Sequence, residues 1–372
     1  YPNEAYTWEK SRKNPHGRRA ILDMSLPVFV GEGYYTGGKN LDWFASVGGE
    51  ECFRGIAHCE EARMLFGQIL CEGMRWQGIA AADFLTGPGF YQNSFKPIAV
   101  FCRQWDWTHA SGATVARDLK VFNMTRHDEA ITVRWELTSG DDVIASQDRT
   151  FDLAAGTSQE FDITVQLPET DGRMECEVKL SCHKDGEQVF EQIKEVSVIN
   201  PNLAPVPDVD DREIAVFDPS GTVQAHLDKR GIAYVNATLQ DMPAESRVLI
   251  VGPDAVGEEL SRQQVWRNLA ARGKRLLVLD QQYPLLGQAV EGDFKTTDFV
   301  GRIGFMEDVN HPAFQGLRQK DFFCRSGADQ VLYRQAYEKP TKGARSLLQC
   351  DQGLAYSALL ESHVDQGLML LC

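Results

Sequence analysis

Between about residues 110 and 200 the sequence alternates apolar and polar residues with a period of two, and this pattern restricts the possible folds more than any other feature of the chain. In "AITVRWEL" the apolar positions are Ile131, Val133, Trp135 and Leu137, and in "EFDITVQL" they are Phe161, Ile163, Val165 and Leu167. In "ECEVKLSC" they are Cys176, Val178, Leu180 and Cys182. A strand turns successive side chains to opposite faces, so each segment has one dry face and one wet face. Turn sequences such as "SGDD" and "KDGE" separate the segments. The pattern predicts a β-sandwich over residues 110–200, with Cys176 and Cys182 as ordinary core residues.

The flanks follow different rules. At 372 residues the chain is too long for a single core, and two or three domains are expected. After the alternating region comes "NPNLAPVPDVDDR", whose three prolines and acidic cluster suit neither a helix nor a central strand. Residues 201–211 therefore read as a linker. From 212 to 372 short apolar strands alternate with helix-like segments. "IAVFD" is followed by "TVQAHLDKR" and Gly231; then come "RVLIVG", a helix expected over about 257–272, Gly273 and "RLLVLD". Glycine just past a helix is a C-terminal signal because it tolerates positive φ. Alternation of this kind predicts a parallel sheet covered on both faces.

Charge and cysteine content bound the partners. The net charge of −15, with no Lys/Arg-rich stripe, argues against nucleic acid and anionic membranes as partners. No apolar run reaches the ~18 residues of a membrane span, so the chain is expected to be soluble. The nine cysteines are scattered and nowhere spaced as CxxC, which speaks against a zinc site and a disulfide framework and for small buried hydrophobes. No metal and no cofactor is implied. His58 and Cys59 adjoin Glu60 and Glu61, but adjacent side chains rarely reach one ion. The sequence opens at Tyr1 and closes on the apolar "GLMLLC", which reads as a fragment of a longer protein; the compartment is left open.

Residues 1–109 raise the question of chemistry. "LPVFVGEGYY" is an apolar strand that ends in a lone glutamate, Glu32, between Gly31 and Gly33. A helix follows, with Ala62, Leu65, Ile69, Gly73 and Trp76 recurring at spacings of three and four, and then a second apolar strand, "IAAADFLTG", containing Asp83. Two strands and one helix leave open edges and an uncovered face, so a β-loop-α-β unit needs further partners. In α/β barrels reactive groups sit at the C-terminal ends of strands, the position Glu32 occupies. Residues alone leave two readings open, a solvated loop glutamate and a catalytic carboxylate.

The order of these features resembles the closing part of a glycoside hydrolase barrel, of the clan that includes family 2 β-galactosidases and β-glucuronidases. The matching pieces are Tyr1 and Pro2, placed like the aromatic-rich loop after the sixth strand; "LPVFVGE", like the seventh strand; "RWQGIA" and "AAADFLTGP", leading into and forming the eighth; and "FKPIAVFCRQWDW" as the exit. An immunoglobulin-like sandwich after the barrel also suits the clan. The resemblance covers roughly the first 110 residues and implies a partial (β/α)8 barrel, consisting of its last two strands, at residues 1–109. It implies a retaining glycosidase acting on a β-linked carbohydrate, with Glu32 as nucleophile and a proton donor on a fourth strand that no segment here matches. Glu50 and Glu51 lie after the seventh-strand segment and do not take that role. Substrate contacts are expected from the Tyr1–Pro2 loop, Tyr34, Tyr35, Trp43 and Asp83. A tryptophan common near Asp83 in the clan is absent here.

Residues 212–372 resemble the flavodoxin-like or glutamine-amidotransferase-like module that accompanies several galactosidase families, through the alternation of strand-like and helix-like segments together with "HPAFQGL" and "LAYSALLE". An active amidotransferase needs a cysteine on a sharp elbow. Here "RLLVLD" runs into Gln281, Gln282, Tyr283 and Pro284, so the domain reads as catalytically empty. "FDPSGT" lacks a full glycine fingerprint for phosphate. The domain is expected to mediate contacts between copies of the chain. The rival reading is a noncatalytic carbohydrate-binding or scaffolding protein built on a decayed barrel.

Overall fold

Wherever the sequence alternates with period two, the chain forms long antiparallel strands. The computed structural model describes residues 29–34, 41–79, 81–84, 92–202, 205–206, 208, 210, 213–239, 241–297, 301–324 and 332–372, with backbone alone at 29–34 and 81–84. Two compact units meet between Pro201 and Asn202. Together they form a multidomain, β-rich fold with several sheets and few helices among the described residues.

The first unit opens with β1 (Phe29–Tyr34), α1 (Leu41–Gly48), α2 (Glu60–Trp76) and β2 (Ala81–Phe84). β1 and β2 pair in parallel, so the segment carrying α1 and α2 is the crossover that a parallel pair requires. α2 buries Ala62, Ile69, Gly73 and Trp76 along the stripe expected from the sequence, while Leu65 is half-buried. Next come β3 (Ile98–Cys102), β4 (Thr108–Ala110), β5 (Thr114–Asn123), β6 (Glu129–Ser139) and β7 (Asp142–Leu153), then β8 (Thr157–Gln166), β9 (Arg173–Lys184) and β10 (Glu187–Ile199). They form one sheet in the order β3-β5-β8 and a second in the order β4-β10-β9-β6-β7.

The two sheets face one another in a β-sandwich-like arrangement. A small internal cavity takes Leu119, Ile163 and Val165 from the first sheet and Val178, Leu180 and Val196 from the second. Ile131, Val133, Trp135 and Leu137 are buried along β6, and Cys176, Val178, Leu180 and Cys182 along β9. Each such side chain contributes about 1.5–3 kcal/mol on leaving water, which is why the alternation fixes the register. The C-terminal end of α2 packs on the first sheet, where the Arg75 guanidinium lies 4.9 and 4.8 Å from the ring centroids of Phe101 and Phe122. The Lys120 ammonium donates to the Trp76 carbonyl at 2.8 Å, placing a cation at the helix's negative end.

The second unit contains β11 (Ile214–Phe217), α3 (Thr222–Arg230), β12 (Val235–Asn236), β13 (Val248–Val251), α4 (Val265–Ala271) and β14 (Arg275–Val278). It continues with β15 (Gly304–Met306), β16 (Tyr337–Glu338), β17 (Arg345–Cys350), β18 (Tyr356–Val364) and β19 (Gly367–Leu371). The main path of its sheet runs β12-β11-β13-β14-β19-β18-β17-β15, with β16 beside β18.

Here the structure departs from the wholly parallel sheet expected for residues 212–372. β12, β11, β13, β14 and β19 are parallel neighbours, but β18 is antiparallel to β19, and β17 to β18. Continuous apolar runs show that a strand is buried on both faces but not which way it points, and a tight turn with Asp365 at φ 50° reverses the chain. The helix expected over about 257–272 is also shorter. A 3-10 turn at Leu260–Arg262 and extended Gln263 precede α4, which buries Trp266 and Ala270 against the sheet.

Candidate functional site

β1 takes its strand form from the β-favouring Phe29 and Val30 and then meets Gly31-Glu32-Gly33. Phe29 and Val30 pair with Ala81 and Ala82, and Tyr34 pairs with Phe84. Between these register points three residues of β1, Gly31 to Gly33, oppose one residue of β2, Asp83. The ladder is therefore interrupted where Glu32 and Asp83 stand, and both lie in the C-terminal half of adjacent parallel strands. Interruptions of this kind re-aim side chains and are common beside active sites. The sequence assigned both carboxylates separately, and the pairing brings their backbone positions to one level.

The other residues singled out in the sequence divide into three groups. Tyr34 ends β1. Tyr1, Pro2 and Tyr35 lie outside the described residues. Trp43 is on the exposed side of α1, with 53% of its surface accessible, while its neighbours Phe44, Ala45 and Val47 are buried.

Sequence reasoning missed a buried charged cluster between α2 and β10. Glu72 is fully buried, and its Oε1 accepts from Gln192 Nε2 at 2.5 Å and from Gln68 Nε2 at 2.8 Å. The Lys194 ammonium stands 4.0 Å from Glu72 Oε2 and 3.8 Å from the ring centroid of Trp105. Burial lowers the Lys194 pKa, and the negative ends of Glu72 and Cys102 oppose that shift. A signal for the cluster was present: in "EQVFEQIKEVSVI" Gln192 and Lys194 occupy the same inward register as Phe190 and Val196. Nearby, Asp106 stands 3.5 Å from the Arg117 guanidinium; burial raises its pKa and the guanidinium counters it.

The second unit presents a different arrangement at the C-terminal ends of its parallel strands. The order β12-β11-β13 places the ends of β11 and β13 at the point where the winding reverses, the usual ligand crevice of such sheets. Asp218 fills that point. Its carboxylate accepts from the Val223 amide at 2.7 Å, the Ser220 amide at 3.0 Å and the Ser220 hydroxyl at 2.6 Å, so it occupies the position at the start of α3 that an anion would take. Burial alone would raise its pKa, but these hydrogen bonds carry it below the usual carboxylate range. Gly252 leaves room for it: a Cβ there would stand 2.2 Å from Asp218 Cγ. On the next strand ends, Arg334 bridges Asp254 at 2.8 Å and Asp280 at 2.5 Å. Elsewhere in this unit Glu361 accepts from Arg345 at 2.8 Å and lies 2.9 Å from His311 Nε2 and 3.1 Å from His363 Nε2. These groups hydrogen-bond and ion-pair with one another.

Neither a protein-family model nor a curated protein matches the chain. Among solved structures, a cycloisomaltooligosaccharide glucanotransferase from a Paenibacillus species, complexed with cycloisomaltoheptaose, aligns at 12% identity and a TM-score of 0.23 over 41% of this chain and 19% of its own. A Listeria innocua β-glucosidase aligns at 11% identity and a TM-score of 0.22 over 28% of this chain and 16% of its own. The CARDB domain of the Pyrococcus furiosus PF1109 protein aligns at 11% identity and a TM-score of 0.21 over 28% of this chain and 97% of its own. The neighbours thus include carbohydrate-active enzymes, at low identity and partial coverage, and likenesses this weak decide neither fold nor function. No helix among the described residues is long and apolar enough to cross a membrane.

Proposed function

We propose that the chain belongs to a retaining glycoside hydrolase acting on a β-linked glycoside, of β-galactosidase-like type, with Glu32 as the nucleophile. The observation that carries this reading is the interrupted ladder that sets Glu32 beside Asp83 on two adjacent parallel strands joined by a helical crossover. The order of residues 1–109 supports it, through their resemblance to the last two strands of a glycosidase barrel. In this mechanism the Glu32 carboxylate attacks the anomeric carbon and forms a glycosyl ester, while a second carboxylate ~5.5 Å away protonates the leaving oxygen. That donor is not assigned to any residue of this chain. Asp83 accepts from sugar hydroxyls, and Tyr34, Tyr35, Trp43 and the Tyr1–Pro2 loop provide the apolar faces against which a pyranose ring stacks.

The test is the full-length protein on a panel of chromogenic β-glycosides, beside its Glu32→Gln variant. The carboxamide is nearly isosteric but a far weaker nucleophile, so turnover should fall more than about 10³-fold with the circular dichroism spectrum unchanged. Retained turnover in the variant rejects the assignment. Sugar binding without hydrolysis in both proteins selects the noncatalytic reading.

A further inference from the structure

The segment between α1 and α2 contains two cysteines seven residues apart. It folds as two 3-10 turns, Glu50–Arg54 and Ile56–His58, joined by Gly55 at φ 131°. Cys52 and Cys59 are both fully buried, yet Glu50, Glu51, Phe53, Arg54, Ala57 and His58 of the same segment are exposed. Cys59 Sγ donates to the Cys52 carbonyl at 3.4 Å and lies 3.5 Å from the Gly55 carbonyl, while Cys52 Sγ lies 4.0 Å from the His58 carbonyl, so each sulfur rests on backbone at or next to the other cysteine. The turns thus fold the two sulfurs together. Elsewhere in this unit Cys71 donates to the Ser94 carbonyl and Cys102 to the Gln104 side chain.

We propose that Cys52 and Cys59 form a redox-active pair, which closes to an intramolecular disulfide by exchange with a low-molecular-weight disulfide and staples the end of α1 to the start of α2. One cysteine, as thiolate, attacks a sulfur of the small disulfide; that S–S bond breaks, and the departing thiolate takes up a proton. The second cysteine loses its proton and attacks the protein sulfur of the mixed disulfide, releasing the second small thiol. The two protein thiols lose two electrons and the small disulfide gains them, leaving one protein disulfide and two small thiols. Burial and the neighbouring Cys59 thiol push the Cys52 pKa up to about 12, so thiolate is scarce at neutral pH and closure waits on local opening of the exposed turns.

Peptide mapping tests this directly, because Arg54 lies between the two cysteines. Trypsin places Cys52 in residues 40–54 and Cys59 in residues 55–63. The native full chain is incubated for hours with oxidised glutathione, quenched by alkylation in acid and digested without reductant. The expected product is 40–54 linked to 55–63, two hydrogens lighter than the sum of the peptides and separated by dithiothreitol. Cys59→Ser should abolish the linked species and leave Cys52 as a glutathione adduct. The oxidised chain should melt about 5 °C higher, since the bridge restricts the unfolded chain. Recovery of the two peptides as free thiols or separate glutathione adducts overturns the proposal, and so does a link that forms only in urea. Mapping of the wild-type protein decides the matter even if the variant fails to fold.

Discussion

Asp218 and Gly252 show how one residue's form is dictated by its neighbour. The Asp218 carboxylate lies where a β-carbon at position 252 would be, so Gly252→Ala forces either the carboxylate or the strand end to move. Overpacking of this kind costs about 1–3 kcal/mol, and the loss should appear as a lower urea midpoint with unchanged slope. Asp218→Ala removes the acceptor of two backbone amides and should cost about 0.5–2 kcal/mol by the same measurement. The sequence showed that "FDPSGT" lacks a phosphate fingerprint. It did not show that the protein's own carboxylate fills the cradle, because that depends on β13 lying beside β11. Glu32 and Asp83 were legible one at a time, each inside an apolar strand, whereas their common level is a fact of pairing.

Elements were legible where one face is dry. The alternation in β6, β8 and β9 located those strands, because a slip of one residue would expose the whole apolar set. Direction was less legible: in β17 five consecutive residues are buried, and such a run is equally compatible with parallel and antiparallel neighbours. The contact of α2 with β10 was not foreseen, because it turns on a lysine and a glutamate that ordinary patterning sends to the surface. Its energetics follow from burial. Lys194→Met removes the buried cation beside Glu72, and breaking one side of a buried pair costs about 3–5 kcal/mol. A double variant, Glu72→Leu with Lys194→Met, should lose less than the two single changes combined. Chemical denaturation of the four proteins of this cycle measures the difference; simple additivity would show that the two charges are not coupled.

At the scale of the whole molecule the second unit should lose stability in acid. In the second unit Asp218, Asp254 and Glu361 all titrate below the usual carboxylate range. For Asp218 and Glu361 burial opposes the shift and hydrogen bonds prevail, whereas for Asp254 the hydrogen bond from Arg334 leads. A carboxyl group depressed in the folded state adds stability above its unfolded pKa, and that stability is lost as the pH falls through the folded value. The melting temperature of this unit should therefore fall as the pH drops below about 4. A variant with Asp254→Asn and Glu361→Gln, already weaker at pH 7, should lose less over the same interval. In the first unit the contributions oppose one another: hydrogen bonds from Arg134 and Lys179 depress Asp148 and Glu191, whereas burial raises Asp106. A flat acid profile for the second unit would contradict this account.

The claim on which the functional reading rests is that Glu32 attacks a sugar. A 2-deoxy-2-fluoro β-glycoside with a good leaving group slows release of a glycosyl ester and so marks the nucleophile. After incubation with the full-length protein and tryptic digestion, the fluorosugar should be found on residues 20–39, attached at Glu32. A protein that turns over the parent glycoside while this peptide stays unlabelled, or that carries the label on another carboxylate, would contradict the assignment.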